Sequence, residues 1–331
     1  MRQPPTRRTR LLAPWGTLIA VAAVLATAIA PVAMAAEPSP AAVPALSVVA
    51  SFRPIAEAVR AVGRERIHVT DLTPPDTSPH DLEIDPRTLG VLEDADVIFL
   101  LGSGFQPNVT DAIGAMPAGP VVIDLLIGRN LIPVGPALAG TVAEAVGEVL
   151  EGGWDPHVGL DPVRFAGMTA TIADVLIRAD PAGADQYAAG AAAFQADLAA
   201  LHAAYTAALG SCRSRTIVTS HRAFGYLAQR YGLEQVPIAG LSPSEEPDPR
   251  SLAAIAALAR ERGVRTIFYE SVVPRDFAET VAQEIGAGVD ALDPVESLTE
   301  QDIDEGGGYV AAMERNLVAL AGGLGCTDSP E

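Results

Sequence analysis

From residue 46 onward, short apolar runs alternate along the chain with segments whose apolar residues recur every three or four positions. The short runs are typical of buried strands, and the second pattern is typical of amphipathic helices. Strands that alternate with helices indicate βαβ units and a parallel sheet. In this first block we expect strands over residues 46–51, 67–72, 96–101 and 120–125, and helices over residues 54–62, 86–94 and 107–116.

The same alternation returns after a long stretch that is almost entirely helical. Residues 184–209 are rich in alanine, and Leu198, Leu201, Tyr205 and Leu209 mark one face of the predicted helix. Few glycines or prolines interrupt it, which is typical of a rigid connector. Around it we expect further helices over residues 165–177, 224–231, 251–262, 276–285 and 308–324, and strands over residues 216–219, 236–241, 266–269 and 289–292.

These patterns predict an α/β fold of two similar lobes, each with a parallel-type β-sheet flanked by helices, joined by one long rigid helix. We place the N-terminal lobe at residues 46–180, the connecting helix at residues 181–210 and the C-terminal lobe at residues 211–331. In open sheets of this kind, ligands gather beyond the carboxyl ends of the strands. A binding site in the interdomain cleft is therefore expected.

The N-terminus follows a different pattern. Four arginines precede an uncharged apolar run over residues 11–30, and residues 33–35 then offer a cleavage site of small residues. We interpret residues 1–35 as a secretory signal peptide cleaved near Ala35, and residues 36–45 as a flexible leader. An uncleaved membrane anchor is the alternative, because the run approaches the roughly 20 residues that span a bilayer. The predicted location of the exported protein is the periplasm.

The charge of the chain argues against one class of partner. The chain has 22 Lys and Arg against 41 Asp and Glu, and its formal net charge of −19 becomes −23 once the four arginines of the signal peptide are removed. A surface this acidic repels nucleic acid and attracts cations. A need for solubility would also account for the charge, so it permits a cation as ligand without identifying one.

Two cysteines, Cys212 and Cys326, remain after export. In an oxidising compartment a disulfide between them is the preferred interpretation, and in the chain-entropy model it would add about 4 to 5 kcal/mol to the free energy of unfolding. Free thiols and soft metal ligands are the alternatives. The absence of a CxxC spacing disfavours a metal site built from these two residues.

Three of the five histidines stand next to prolines or at the end of a predicted strand. His80 and His157 each follow a proline, His221 follows a predicted strand, and Asp293 directly follows the last predicted strand. Three imidazoles and one carboxylate suit a tetrahedral Zn²⁺ site, whereas a harder ion such as Mn²⁺ favours more oxygen ligands. We therefore interpret these four residues as a candidate metal site.

Each of these residues also has an ordinary interpretation. A histidine after a strand is more often a polar cleft residue than a ligand, and Asp293 alone could be a helix N-cap. His68 lies within a predicted strand and His202 lies on the long helix, so both are expected to be structural or to face solvent. Three aspartates near the candidate ligands could accept hydrogen bonds from imidazole N–H groups: Asp81, Asp155 and Asp161.

Several spaced motifs resemble those of a known family. They are Ser78-Pro79-His80-Asp81, Asp155-Pro156-His157, Thr219-Ser220-His221 and, near the C-terminus, Asp293 with Asn316-Leu317. In this order they are similar to the metal-binding segments of the zinc- and manganese-binding solute-binding proteins of ABC transporters, which include the ZnuA-like proteins. The resemblance covers essentially all of residues 46–325. It implies two lobes with a metal held between them by His80, His157, His221 and Asp293.

The resemblance also implies a function and partners. We expect one tightly bound Zn²⁺ ion as the transported ligand, captured in the periplasm and delivered to the membrane permease of an ABC transporter. The ion would arrive directly or from a zinc-donating chaperone, and a monomer suffices for these tasks. Manganese-type members carry a carboxylate where His221 stands, so the imidazole favours zinc. The alternative within the same fold is Mn²⁺ or Fe²⁺.

Two features depart from the family pattern. Gly159 stands where a tryptophan usually follows the second histidine, and residues 126–153 lack the histidine-rich loop of many zinc-binding members. A secreted zinc hydrolase is an alternative of a different class, because a three-histidine site with an open position can activate water. No HExxH motif is present, and a fourth protein ligand would close the site, so we predict that the chain is not an enzyme.

Overall fold

The computed structural model describes residues 45–117, 119–133, 153–244, 247–270, 275–297 and 307–327. The predicted signal peptide, and the leader apart from its last residue, lie outside these ranges. Within the described ranges, no helix is both long enough and apolar enough to cross a membrane.

Four parallel strands form the sheet of the N-terminal lobe: β1 (Leu46–Ala50), β2 (Ile67–Asp71), β3 (Val97–Leu100) and β4 (Val121–Asp124). They lie in the order β2-β1-β3-β4. Every residue of the central strand β3 is buried, as expected for a parallel strand covered on both faces. Because all of these pairs are parallel, the carboxyl ends of the strands lie at one edge of the sheet.

The sheet of the C-terminal lobe repeats this arrangement with β5 (Thr216–Thr219), β6 (Glu234–Pro237), β7 (Thr266–Tyr269) and β8 (Gly288–Ala291). The order β6-β5-β7-β8 corresponds strand for strand to that of the first sheet, so the predicted α/β fold of two similar parallel sheets is confirmed. Most strands lie within one residue of their predicted bounds at each end. β6 differs most: it was predicted at residues 236–241 but lies at Glu234–Pro237, because Glu234 and Gln235 pair with β5 although neither is apolar.

Helices cover the sheets in the described part of the chain. They are α1 (Arg53–Gly63), α2 (Pro86–Glu93), α3 (Pro107–Ala115), α4 (Pro162–Ala179), α5 (Ala184–Ala208), α6 (Gly225–Tyr231), α7 (Pro249–Glu261), α8 (Asp276–Ile285) and α9 (Tyr309–Leu324). Five of them carry proline in the first turn, where its fixed φ fits and its missing N–H costs nothing. Asp85, Asp161 and Asp248 cap α2, α4 and α7 by accepting backbone N–H bonds.

The connecting helix α5 is 25 residues long and packs against both lobes. A Cβ on Gly190 would lie only 2.5 Å from the carbonyl oxygen of Val62, so glycine is what allows α1 to approach α5 so closely. One apolar core continues from β1 through Tyr187 and Leu201 of α5 to Met313 on α9. Because the lobes share this core, large hinge motions between them are disfavoured.

Cys212 and Cys326 form a disulfide in the structure. It joins the segment before β5 to the residue two places past the end of α9. Neither cysteine is therefore available as a soft metal ligand. The bond ties the last helix to the sheet of the C-terminal lobe.

Candidate metal centre

His80 belongs to the N-terminal lobe and lies in a short 3₁₀ turn, Pro79–Asp81, in the loop that follows β2. The edge of its ring meets Phe105, with centroids 4.7 Å apart, and Phe105 packs in turn on Phe52. The side chain of His80 is only 6% exposed. The N-terminal lobe thus presents one imidazole at the carboxyl edge of its sheet, supported by an aromatic wall.

His157 is oriented by the aspartate that lies two residues before it. Asp155 Oδ1 accepts hydrogen bonds from the backbone N–H of His157 at 2.9 Å and from its Nδ1 at 2.8 Å. Tyr226 on α6 fixes this segment by donating its hydroxyl to the carbonyl of Asp155 at 2.7 Å. A proton on Nδ1 fits the bond to Asp155, which leaves Nε2 as the ring atom that can bind a metal.

His221 is oriented in the same way by Glu270. His221 lies two residues past β5, and Glu270 directly follows β7, the strand that pairs with β5. Glu270 Oε1 accepts from the backbone N–H of His221 at 3.2 Å and from its Nδ1 at 2.5 Å. The side chains of the pair are 0% and 1% exposed. The C-terminal lobe therefore fixes His221 firmly, with its Nε2 directed at the centre of the cluster.

Glu296 brings a carboxylate into the middle of these imidazoles. Its Oε1 lies 2.9 Å from His157 Nε2 and 3.6 Å from His221 Nε2, and its Oε2 lies 3.4 Å from His80 Nε2. The Nε2 atoms of His80 and His157 are 3.5 Å apart. Glu296 is 6% exposed, so the charge of this carboxylate is almost removed from water.

The four side chains fit a tetrahedral cation. Their ligand atoms all lie within 4.8 Å of one another. Donors bound at about 2.0 to 2.1 Å to a tetrahedral ion lie about 3.4 Å apart, which is close to the separations of 2.9 to 3.6 Å in the cluster. Among the described residues, no hydrogen bond of normal geometry reaches the buried His221 Nε2 or Glu296 Oε1. A cation between them would satisfy both atoms.

The charges in this pocket compensate one another. Burial raises the pKa of Glu296, but the surrounding imidazoles outweigh it and hold this pKa well below its usual range. Burial lowers the pKa of His157, but Glu296 and Asp155 together raise it to about 9. In the same way, Glu270 and Glu296 raise the pKa of the buried His221 to about 10. Positive charge at the imidazoles, from protons or from a cation, is therefore stabilised here.

Asp293 is not one of the side chains that meet. Its Oδ1 accepts a hydrogen bond from the backbone N–H of Val295 at 2.6 Å. Asn316 on α9 donates Nδ2 to the carbonyl of Asp293 at 2.6 Å and accepts its N–H at 2.8 Å. Asp293, two residues past β8, thus shapes the turn, and Glu296 takes the place among the histidines that was predicted for Asp293. Glu296 therefore replaces Asp293 as our fourth candidate ligand; that Glu296 and the three histidines bind a metal stays a prediction.

The aspartates expected to orient imidazoles have different roles. Asp155 does so, but Asp81 lies 3.5 Å from the hydroxyl of Ser244, and Asp161 caps α4 and pairs with Arg230 at 2.8 Å. Sequence analysis did not identify Glu270. The sequence did carry a signal for Glu270, since this residue directly follows a predicted strand, as His221 nearly does, and so lies at the carboxyl edge of the sheet.

His68 and His202 lie outside the cluster. His68 is exposed on β2, and His202 Nδ1 lies 3.2 Å from the hydroxyl of Tyr231. The prediction that both are structural or face solvent is confirmed.

Two parallel α/β sheets built around a long helix, with three histidines and one glutamate converging in one cluster, define the class of protein: a two-lobed α/β protein with a candidate metal site. The model of one family, described as "Zinc-uptake complex component A periplasmic" (ZnuA), matches residues 48–323. The chain belongs to this family.

Individual relatives agree with this membership. The high-affinity zinc uptake system protein ZnuA of Bacillus subtilis (strain 168) is 32% identical over 280 residues, which cover 84% of this chain and 88% of that protein. The zinc-binding lipoprotein AdcA of Streptococcus pneumoniae is 32% identical over 279 residues, but the match covers 83% of this chain and only 55% of AdcA.

Solved structures show the same fold. The crystal structure of the Zn(II)-bound ZnuA-like domain of Streptococcus pneumoniae AdcA matches with a TM-score of 0.71 and 31% identity, covering 85% of this chain and 99% of that domain. The predicted resemblance to the zinc- and manganese-binding family is thus confirmed. These relatives are named for zinc uptake and zinc binding, which agrees with the prediction that this chain is a binding protein and not an enzyme.

A matched pair of variants tests which carboxylate belongs to the site. We expect Glu296→Gln to weaken zinc binding by at least about 100-fold, because it removes the anionic donor from the centre of the cluster. Asp293→Asn should change the affinity by less than about threefold, because an amide oxygen still accepts the N–H of Val295. Competition with a chromophoric zinc chelator measures both affinities. Equal losses in the two variants would return Asp293 to the ligand set.

Proposed function

We propose that this protein captures Zn²⁺ outside the cytoplasmic membrane and delivers it to the permease of an ABC transporter. The observation that carries the proposal is the convergence of three imidazoles and one carboxylate, drawn from both lobes, in a pocket almost closed to water. Such a pocket holds an ion by burying it between the lobes. Zn²⁺ is here the cargo of the protein and not a cofactor for a reaction.

The kind of donor atom supports zinc over manganese or iron. Three nitrogen donors and one carboxylate match the ligands and the four-fold coordination that Zn²⁺ prefers, whereas Mn²⁺ favours more oxygen atoms. The orientation of His221 by Glu270 reinforces this choice, since it leaves the ring no freedom to turn away. The relatives named for zinc, and the zinc-bound AdcA domain, support the same assignment.

The scaffold supports release by small movements. The lobes share one apolar core with α5, so a wide opening would expose much apolar surface at a cost of about 25 cal/mol per Å². His80 and Glu296 lie in loops, whereas His221 is fixed two residues past a central strand. We infer that release begins with the loops that carry His80 and Glu296, accompanied by modest lobe movement.

Export and partners complete the proposal. The predicted signal peptide would place the protein in the periplasm, and the Cys212–Cys326 disulfide suits that oxidising compartment. Zinc would reach the site directly or from a zinc-donating chaperone. A monomer is sufficient for capture and docking, and the acidic charge leaves no role for nucleic acid.

Metal competition tests the choice of ion. We expect the protein to bind one equivalent of Zn²⁺ at least about 100-fold more tightly than Mn²⁺ or Fe²⁺, and His221→Ala to lose most of this preference, because it removes a nitrogen donor. His202→Ala is the matched control and should behave like the wild type. Titration of each ion against the others measures the order of affinities. A tight preference for manganese would overturn the zinc assignment.

Delivery is tested by uptake. In proteoliposomes that contain the permease of the same organism, the zinc-loaded wild type should drive ATP-dependent uptake of radioactive zinc. Glu296→Gln should drive little uptake at the same total zinc, because it releases the ion before docking. Asp293→Asn serves as the control and should support normal uptake. Uptake that is equally fast with free zinc and no binding protein would contradict a delivery role.

A further inference from the structure

The last helix, α9, has Gly308 as its N-cap residue, and a glycine has no side chain that could accept a hydrogen bond from the first turn. Among the described residues, Glu57 on α1, in the N-terminal lobe, supplies an acceptor, since its Oε2 accepts the backbone N–H of Tyr309. A Cβ on Gly308 would lie 2.8 Å from this oxygen, so the glycine leaves room for the carboxylate. A negative charge at a helix N-terminus is favourable.

Glu57 is itself held in place. Arg53 Nε lies 3.3 Å from Glu57 Oε1, and Arg53 Nη1 lies 3.5 Å from Asp71 Oδ2 at the end of β2. The side chains of Arg53 and Glu57 are each only 19% exposed. Burial raises the pKa of Glu57, while the Tyr309 N–H and Arg53 counteract it. Among the described residues, Glu57 forms its ion pair and hydrogen bond with Arg53 and Tyr309 and not with the four cluster side chains, so any effect of Glu57 on the cluster would pass through α9.

The first residue of α9 reaches the segment that carries His157. Tyr309 donates its hydroxyl to the carbonyl of Gly159 at 2.6 Å, two residues past His157. The ring of Tyr309 is fully buried and packs on Phe165 of α4, with centroids 4.6 Å apart. The residue whose N–H binds Glu57 therefore also fixes the backbone beside one candidate ligand.

Two turns further along, α9 reaches the segment that carries Glu296. Asn316 holds Asp293 through both its N–H and its carbonyl, and Asp293 holds the N–H of Val295, the residue before Glu296. Asn316 is 2% exposed, so water does not compete for these bonds. A shift of α9 along its own axis would therefore move the turn that precedes Glu296.

We propose that Glu57 is a positioning residue of the metal site, which acts through α9 on His157 and Glu296 without touching the ion. This inference rests on the proposed function, because it assumes that the four converging side chains hold a metal. The expected consequence is that Glu57 slows the dissociation of the bound ion. When Glu57 fixes α9, Glu296 has little freedom to swing away from the ion, and dissociation is slow. When this contact is lost, the same ligands remain but leave more readily.

The test is the rate at which zinc leaves the full-length protein into an excess of a chromophoric chelator, measured by stopped flow. We expect Glu57→Ala to raise this rate by about tenfold, at the low end of the 10- to 100-fold effects of partners that orient ligands. Glu57→Gln should restore the rate to within about threefold of wild type, because its amide oxygen still accepts the N–H of Tyr309. Gly308→Ala would disturb the same contact, because its Cβ would lie 2.8 Å from Glu57 Oε2, and it should also raise the rate.

Asp180→Ala is the matched control. Asp180 follows α4 at the end remote from His157, where it pairs with Arg66 and accepts the hydroxyl of Tyr187 at 2.8 Å. This variant also loses a largely buried acid with an arginine partner, so it should lower stability without changing the rate of zinc release. In the metal-free proteins, amide hydrogen exchange at Tyr309 should accelerate in Glu57→Ala and not in Asp180→Ala.

The outcomes separate the two proposals. A wild type that binds no zinc removes the proposed function and this inference with it. A wild type that binds zinc tightly, with the same release rate in Glu57→Ala and Gly308→Ala as in wild type, overturns the role of Glu57 alone. Equal acceleration in Glu57→Ala and Asp180→Ala would also overturn it, because a general loss of stability would then account for the effect.

Discussion

A buried carboxylate surrounded by imidazoles is the constraint on which the rest of this structure depends. Glu296 is almost removed from water, and an isolated ion in such a place would cost several kcal/mol. Its charge is compensated by His80 and His157 from the N-terminal lobe and by His221 from the C-terminal lobe. Both lobes therefore contribute to the compensation of this buried charge. A divalent cation would satisfy the same four side chains.

The scaffold orders these donors before any ion arrives. Prolines restrict the backbone before His80 and His157, and carboxylates fix the rings of His157 and His221 through Nδ1. Because folding has already ordered these side chains, little further conformational entropy is lost when an ion binds, which favours affinity. The long helix and the common core hold the two sheets in a fixed relation, so selectivity and retention are determined by short loops and by α9.

Most of the fold could be predicted from the sequence because apolar periodicity reports directly on burial. The strands of both sheets and the long alanine-rich helix follow this signal. β6 was predicted two residues too late at its start and four too late at its end, because Glu234 and Gln235 belong to the strand through backbone pairing, whereas the apolar residues after Pro237 do not. The local pattern of apolar residues therefore predicts the strands and helices well, but it predicts their polar ends poorly.

The site was predictable only in part, for a physical reason. The positions of the three histidines follow from prolines and strand ends, which are local features. The choice between Asp293 and Glu296 depends on a turn held by Asn316, 23 residues further along the chain, and such a contact has no local signature. Glu270 depends likewise on the pairing of β5 with β7.

The central claim is that one zinc ion lies between these four side chains. Diffraction data collected on either side of the zinc absorption edge from crystals of the zinc-loaded protein test it most directly. We expect a single strong anomalous peak about 2.0 to 2.1 Å from the Nε2 atoms of His80, His157 and His221 and from a carboxylate oxygen of Glu296. A peak at another place, or a zinc ion bound by Asp293 in place of Glu296, would contradict it.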